Sequence, residues 1–482
     1  MKVVVDGDPE GVRNTISGGY IMIDQRDADG NTPLIYACTR GDEAYSDICE
    51  QVVEAGANIN AVNYKGDTAL LIAARMGHSK LFSLLLNKGA KYDIQAIDGN
   101  TALAYAIAGN HSDICNSLLE KDIDVNTCNK TGDTPLSIAC RCGNAVIVER
   151  LLQRGALMDI QNKDGNTAMI QAIIKGQADI CNLLIARGGD VSVVNQWGDT
   201  ALIVAARCGV ATMISPLLTG GADVNARNKK GETALMNAIC NDHADLAALL
   251  LETGHVKVKA KNKEGNTALH MATLKGWKDL CDQLLDRGAD GNAQNNLGET
   301  SVLWSGREGQ TSVLELLLEK GCADMNMRTH AGSTALLEAV RGSHTDTALT
   351  LIRRGANVTI ADNKGDTALI LASRCGNVVV AVECLSKAGD EKDARNNAGE
   401  TALHCAVSAG NLELCRVLID AGVDLNIQDL RDDTAVIRAS REKNKELSVL
   451  LRDAGADINI KNKKGHTPMH FDKHNVFPPL PT

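Results

Sequence analysis

Arginine recurs at one position of a repeating pattern, seven residues after a threonine that itself returns throughout the chain. A guanidinium group can pair with a carboxylate or a phosphate through two parallel hydrogen bonds. A row of such groups would bind an acidic or phosphorylated peptide, so we predict that these arginines belong to a partner-binding surface. They are Arg75, Arg141, Arg207, Arg307, Arg341, Arg374 and Arg441.

Lysines in the turn before the threonine would add positive charge to the same surface. They are Lys65, Lys130, Lys163, Lys229, Lys230, Lys263 and Lys364. An alternative explanation needs no partner. An arginine near a helix C-terminus interacts favourably with the helix dipole, by about 0.3–1 kcal/mol, and lysines in turns can simply be solvated. The sequence leaves both explanations open.

Large apolar side chains occupy the same turn in a few copies. Trp197 stands where an apolar residue has little structural purpose, and tryptophan is enriched at interfaces. Tyr64 and Leu297 hold comparable places. We therefore add Trp197, Tyr64 and Lys230 to the candidate binding residues, with packing on a neighbouring turn as the alternative for the aromatic ones. Trp304 lies in a predicted helix, and we expect it in the core.

The threonine marks the start of a structural unit. It returns every 33 or 34 residues, apart from one step of 36, between Thr32 and Thr467. Its hydroxyl suits the N-cap of a helix, and the Ala or Pro that follows suits the first helical position. A glycine two residues earlier allows a turn with positive φ. A glycine nine residues later predicts the end of that helix, after which a second helix and a short linker complete the unit.

This unit resembles the ankyrin repeat. The resemblance rests on Gly-x-Thr-Pro/Ala-Leu, alanine in the first helix, glycine before the second helix, and Leu-Leu followed by Gly-Ala after it. It covers nearly the whole chain and implies an all-α solenoid of about 13 full helix-turn-helix repeats with β-hairpin-like tips. We expect a partial N-terminal repeat or cap at 1–31, the array at 32–464, and a truncated last repeat with a Pro-rich tail at 465–482.

The resemblance also implies where a partner would bind. Ankyrin arrays contact protein partners mainly through the tips and the ends of the first helices, on a concave face. The predicted function is a non-enzymatic scaffold or adaptor that binds a protein or peptide along this face. The alternative is a regulatory or targeting region of a larger enzyme or channel whose catalytic or membrane part lies outside this chain.

Composition narrows the class of partner. The formal net charge is −10 and aromatic residues make up 2% of the chain. A binder of nucleic-acid phosphates should be basic, and a single-strand binder needs aromatic side chains for stacking. We therefore expect no nucleic-acid partner. No apolar window is long enough for a membrane span, and no secretory signal is recognisable.

Most of the 15 cysteines recur at equivalent places, in Arg-Cys-Gly and in one slot of the second helix. Equivalent slots of stacked repeats cannot all face one another as bridging pairs, so we expect buried free thiols and an intracellular, cytoplasmic protein.

Catalytic motifs are absent from the sequence. There is no Gly-Lys dipeptide for a phosphate-binding loop, no His-Glu pair for a zinc protease helix and no Gly-x-Ser-x-Gly. The cysteine spacings do not match a zinc site. We therefore predict neither enzymatic activity nor a metal or other cofactor.

Overall fold

The computed structural model describes residues 1–19, 22–41, 43–321, 323–472 and 476. The chain forms two compact units, Met1–Leu250 and Leu251–Thr482, referred to as unit 1 and unit 2. The described residues lie in helices, turns and irregular segments, with no β-strand among them. The predicted all-α repeat architecture is thereby confirmed. Residues 477–482, which hold the Pro-rich sequence, lie outside the described residues.

In unit 1, each repeat contributes a first and a second helix. The first helices are Pro33–Arg40, Ala69–Met76, Ala102–Ala108, Pro135–Cys142, Ala168–Ile174, Ala201–Cys208 and Ala234–Cys240. The second helices are Glu43–Glu54, Ser79–Asn87, Ser112–Leu119, Ala145–Gln153, Ala178–Ala186, Ile214–Thr219 and Ala244–Glu252, the last of which includes the boundary between the units. Helices Lys2–Val5 and Pro9–Ser17 precede them, and a 3₁₀ turn, Ala211–Met213, leads into Ile214–Thr219.

Unit 2 repeats the same pattern. Its first helices are Ala268–Lys275, Ser301–Glu308, Ala335–Arg341, Ala368–Cys375, Ala402–Ser408 and Ala435–Arg441. Its second helices are Lys278–Asp286, Thr311–Glu319, Thr345–Arg353, Val378–Ala388, Leu412–Asp420 and Lys445–Asp453. Two 3₁₀ segments, Gly389–Asp393 and Pro468–Phe471, complete the unit. The second of these stands where the first helix of a further repeat would begin.

The recurring threonine caps the first helix. Thr68 has extended backbone angles (φ −86°, ψ 166°), and its hydroxyl accepts a hydrogen bond of 3.2 Å from the backbone N–H of Leu71. This contact satisfies one of the N–H groups that the first turn leaves without a helical partner. The helix ends at Gly77, which adopts the left-handed conformation with φ 79°. Glycine suits this position because it has no Cβ to clash.

The tips, which we define as the four residues from five to two positions before each threonine, are turns. In one of them the Asn63 N–H donates to the Asp67 carbonyl at 3.0 Å, and the Asn63 side chain accepts from the Asp67 N–H at 2.9 Å. Within each unit, successive tips are joined by one backbone bond, as from the Tyr64 N–H to the Asp29 carbonyl at 3.2 Å. These bonds are too few to form a ladder, so the expected resemblance to a β-hairpin stops at a closed turn.

The core lies between first helices, which are buried on nearly all sides, and second helices, which bury one face. In helix Ala69–Met76, every residue from Ala69 to Ala74 is buried. In helix Ser79–Asn87, only Leu81, Phe82 and Leu85 are buried. The first helices therefore offer side chains to solvent mainly at their C-terminal ends.

The cysteines fall into two groups, according to whether their position in the helix is buried or exposed. Those in the shared slot of the second helix are buried, as expected, and burial raises the pKa of the Cys115 thiol to about 12. The thiols of the three Arg-Cys-Gly sequences, Cys142, Cys208 and Cys375, are exposed instead. Each is the last residue of a first helix, so the expectation that these were buried is wrong. The buried thiols of the slot are Cys49, Cys115, Cys181, Cys281 and Cys415.

Candidate functional site

The tips and the C-terminal ends of the first helices lie side by side in each repeat, and we call the surface they form the groove face. Arg141, in the last turn of Pro135–Cys142, shows why they are close. Its Nη1 lies 2.8 Å from Oδ2 of Asp133, the residue directly before the capping threonine. The predicted arginine position is therefore on the groove face, but its charge is balanced by a carboxylate of the same repeat.

The same ion pair recurs in unit 1, where it also reaches the next tip. Asp133 is 6% exposed, and its other oxygen accepts from the Asn162 side chain of the following tip at 2.9 Å. Arg207 pairs with Asp199, which accepts in the same way from the next tip. One buried carboxylate thus connects its own helix end to the neighbouring repeat, while about one third of each arginine side chain remains exposed.

Arg75 is held more completely than Arg141 and Arg207. Both of its Nη atoms donate to the Asp67 carboxylate, at 2.9 and 2.6 Å. Its guanidinium carbon also lies 4.0 Å from the ring centroid of Tyr105 in the next repeat. The Tyr105 hydroxyl donates to Asp98 at 2.8 Å, and burial together with this bond raises its pKa to about 12. Arg75 therefore has its hydrogen-bonding edge and one face occupied within the protein.

In unit 2 the arginines connect adjacent repeats. Arg307 pairs with Glu299 of its own repeat and lies 3.6 Å from Glu338 of the next. Arg341 pairs with Glu338 at 2.7 Å and with Asp362 in the tip that follows. The result is a chain of ion pairs that crosses from one repeat to the next.

The chain of ion pairs continues toward the end of unit 2. Arg374 binds Asp366 through both Nη atoms, at 2.7 and 2.9 Å, and lies 3.7 Å from Glu400 of the next repeat. Burial acts to raise the pKa of Asp366, but hydrogen bonds from Arg374 and Asn396 outweigh it and lower the pKa. Arg441 pairs with Asp433, the residue directly before the capping threonine of its own repeat.

Arg438 is the most buried arginine among these ion pairs, with 8% of its side chain exposed. It binds Glu400 of the preceding repeat at 2.8 Å and Asp429 at 2.6 Å. It also donates to the Ser408 hydroxyl at 3.1 Å. Ser408 stands where other repeats carry the recurring arginine, so Arg438 supplies from the next repeat the guanidinium that this repeat lacks.

The predicted tip residues differ in the contacts that their side chains form within the protein. Trp197 is 49% exposed and Tyr64 65% exposed. The Tyr64 ring lies over Gly30 of the preceding tip, where a Cβ would come within 2.8 Å of it. Tyr64 therefore has a packing role, whereas in the part of the chain that the structure describes the Trp197 side chain forms no hydrogen bond and no ring contact. Lys230 is exposed as well and forms no ion pair with any described residue.

Trp304 belongs to the groove face rather than to the core. It is half-buried, its Nε1 donates to Glu299 at 2.8 Å, and its ring meets His270 edge-on with centroids 5.5 Å apart. The expectation of a core position is therefore wrong. Its place four residues after the threonine carries tyrosine, asparagine or glutamate in some copies and isoleucine, valine or leucine in others, so the sequence does not mark it uniformly as a core position.

Histidines at the start of the second helix form contacts that the sequence reasoning missed. His111 lies against Gly77 of the preceding repeat, and its Nε2 donates to the Arg75 carbonyl at 3.1 Å. His243 repeats this contact with the Arg207 carbonyl. The imidazole thus satisfies a carbonyl at the end of the first helix, and it fixes the backbone of the residue whose side chain lies on the groove face.

Two features are absent from the described residues, a membrane-spanning helix and a cluster of metal ligands. None of their helices combines the length and the apolar character needed to cross a lipid bilayer. No three His, Cys, Asp or Glu side chains among them come together as metal ligands would.

Comparison with known proteins identifies the repeat. The family model described as "Ankyrin repeats (3 copies)" matches in overlapping segments from residues 1–96 to 379–462. Inversin of Mus musculus is 33% identical over 88 residues, which are 18% of this chain and 8% of that protein. The E3 ubiquitin-protein ligase KEG of Arabidopsis thaliana is 34% identical over 99 residues, 18% of this chain and 6% of that protein.

One solved structure is similar to part of this chain. The ankyrin repeat domain of Bcl-3, a member of the IkappaB protein family, is 30% identical in sequence with a TM-score of 0.39. The match covers 42% of this chain and 93% of that domain. The chain spans less than a tenth of the curated relatives named above. Because the family model matches segment after segment along almost the entire sequence, the chain belongs to the ankyrin-repeat family.

Proposed function

We propose that this protein is a non-enzymatic scaffold or adaptor that binds a protein or peptide partner along the groove face. Ankyrin repeats are in general protein–protein interaction modules. The observation that carries the proposal is the exposure of side chains that the fold does not use. Trp197 is half exposed at a tip, and Ile174, at the end of a first helix, is 39% exposed.

The chemistry of this face favours an acidic or phosphorylated partner in unit 1. Lys130, Lys163, Lys229 and Lys230 are exposed at tips on either side of Trp197, and none of them pairs with a carboxylate of the described chain. The arginines of the same face are balanced by buried carboxylates. The unbalanced charge at the tips is therefore positive, although the protein as a whole is acidic.

The same surface would serve the alternative function, a regulatory or targeting region of a larger enzyme or channel. One of the relatives favours this alternative, since the segment of the ligase KEG that matches this chain is only 6% of that protein. We infer action inside the cell, where the exposed thiols Cys142, Cys208 and Cys375 would stay reduced.

Site-specific photo-crosslinking tests the proposal. Trp197 is replaced by benzoylphenylalanine in the full chain, and Val146, 71% exposed on a second helix, is replaced in a control chain. Irradiation in a cell extract should link position 197 to a defined protein that position 146 does not capture. Lys230→Glu should weaken that link. An identical set of products from both positions would reject the groove face as the binding surface.

A further inference from the structure

We propose that the groove face of unit 1 binds a segment in the polyproline II conformation that carries acidic side chains at positions i and i+6 and an apolar side chain at i+3. The proposal rests on the protein-binding function above and specifies the partner's spacing. Three residues carry it: Arg141, Ile174 and Arg207. Each is seven residues after its threonine, in three consecutive repeats.

These three side chains form a row. The helices Pro135–Cys142, Ala168–Ile174 and Ala201–Cys208 pack directly against one another in this order. Helices in contact are separated by roughly 8–10 Å between their axes. We therefore expect Arg141 and Ile174 to lie about 8–10 Å apart along the row, with Arg207 at about the same distance again.

Polyproline II matches this step. It has about three residues per turn and rises about 3.1 Å per residue, so every third side chain points the same way at intervals of about 9 Å. A β-strand does not match as well, because its side chains alternate between opposite faces and residues i and i+3 would diverge. One turn of a polyproline II segment thus corresponds to one repeat.

The two arginines retain donors for a ligand. Arg141 and Arg207 each use Nη1 for the ion pair with their own aspartate, and no described residue accepts from their Nη2 or Nε. The ion pair orients the guanidinium group, while 35% and 33% of the two side chains remain exposed. An acidic side chain of the partner can therefore bind the outer edge of each guanidinium group.

The position between the arginines is apolar and open. Ile174 is 39% exposed, and its repeat carries Asn166 in place of the aspartate that would hold an arginine. Arg75, two repeats before Arg141, does not extend the pattern, since Asp67 and Tyr105 already occupy it. The row of side chains that can bind the partner segment is therefore limited to Arg141, Ile174 and Arg207.

Fluorescence anisotropy with synthetic peptides and the full chain tests the spacing. The probe is a fluorescein-labelled proline peptide with Asp at i and i+6 and Leu at i+3. The control peptide has the same composition with the two Asp residues four positions apart. A third peptide carries phosphoserine at i and i+6, which distinguishes carboxylate from phosphate recognition. We expect the first or the third peptide to bind at least about tenfold more tightly than the control.

Variants of the protein locate the contact. Arg141→Gln and Arg207→Gln should each weaken binding of the better peptide by roughly tenfold, whereas Arg75→Gln should leave it unchanged. Asp133→Asn removes the ion pair but keeps Arg141, and asparagine occupies the equivalent place in the Thr167 repeat. Binding should therefore survive Asp133→Asn. If this variant loses binding as Arg141→Gln does, the arginine acts through the fold and the proposal fails.

Equal affinity for the two spacings would also overturn the proposal. A failure of the proposed spacing can be distinguished from a failure of the proposed function. Crosslinking at position 197 combined with indifference to peptide spacing would reject the spacing alone, whereas absence of crosslinking would reject the binding surface itself.

Discussion

The two units use the same arginine position in different ways. In unit 1 the ion pairs of Arg141 and Arg207 stay within single repeats and are separated by a repeat with Ile174 in that position. In unit 2 Arg307 and Arg341 each reach a carboxylate of the next repeat. An arginine shared between two repeats stabilises their interface, while Arg141 and Arg207, each paired within one repeat through Nη1, keep donors for a ligand.

The difference follows from which carboxylates lie within reach. Unit 2 has acidic side chains at positions that are neutral in the middle of unit 1, such as Glu338 in place of Ile138 four residues after the threonine. Each extra carboxylate gives an arginine a second partner. We infer that unit 2 depends on its charges for the coupling of its repeats and that unit 1 depends mainly on apolar packing.

The largest effect is expected from Arg438→Ala. Removing this guanidinium leaves Glu400 and Asp429 without their main partner in a site where Arg438 is 8% exposed. Breaking a buried ion pair in this way costs about 3 kcal/mol. Native-state hydrogen exchange should show the loss in helices Ala402–Ser408 and Ala435–Arg441. Arg441→Ala is the control and should cost less, because it removes a pair that is confined to one repeat and whose arginine side chain is 33% exposed. Equal losses would contradict the comparison.

Acid should open unit 2 through the same carboxylates. Burial acts to raise the pKa of Glu400, but the hydrogen bonds from Arg438 and Asn396, together with the positive charges of Arg438 and Arg374, outweigh it and lower the pKa. A group with a lowered folded pKa contributes stability that is complete above its ordinary value, near 4, and is lost as the pH falls through the folded pKa.

Hydrogen exchange of Ala402–Ser408 should therefore be independent of this group between pH 5 and 7, after correction for the intrinsic rate, and should accelerate below about pH 4. The variant Glu400→Gln cannot lose this charge, so its exchange should depend less on pH. Identical pH profiles for the two proteins would show that the ion pairs do not couple the repeats.

The threonine caps should not distinguish the units. Thr134→Ala in unit 1 and Thr367→Ala in unit 2 each remove the hydroxyl that accepts from the first turn, at 3.1 and 3.4 Å. Each loss should cost about 1 kcal/mol of local stability, measured by hydrogen exchange in the helix concerned. Serine at the same position retains the hydroxyl and should restore most of it. A much larger cost in one unit would mean that the units differ in their framework and not only in their charges.

The smallest effect concerns the backbone of unit 2. Lys443 has φ 60° at the position where most repeats have glycine. Lys443→Gly should relieve the left-handed strain and stabilise the end of helix Ala435–Arg441 by about 0.5–1 kcal/mol. The neighbouring Glu442 has φ −78°, so Glu442→Gly should destabilise instead. Thermal unfolding of the two variants would separate backbone strain from the effect of the ion pairs.

The sequence predicted the framework because each of its parts is local. Thr68 caps a helix and Gly77 ends it through contacts within a few residues. The ion pairs were missed although the sequence holds their signal. Copies with aspartate before the threonine mostly carry arginine at the helix end, as in Asp133 and Arg141, whereas copies with asparagine there do not, as in Asn166 and Ile174.

What the sequence could not predict are the contacts between repeats. Arg438 fills the place left by Ser408 of the preceding repeat, and nothing in either copy alone indicates it. The Tyr105 ring that covers Arg75 likewise comes from the next repeat. Such contacts depend on the stacking geometry, which fixes how far a side chain reaches across the boundary between repeats.

The bonds between successive tips also affect how such a chain can evolve. In each bond the later repeat donates and the earlier one accepts, as from the Ile97 N–H to the Lys65 carbonyl and from the Lys130 N–H to the Asp98 carbonyl. Any repeat can therefore follow any other, and gene duplication can lengthen the array without new joints. Within the row of Arg141, Ile174 and Arg207, however, the insertion or loss of a single repeat would break the alternation. Such a change would keep the fold of each repeat and would alter the spacing that we propose for the partner.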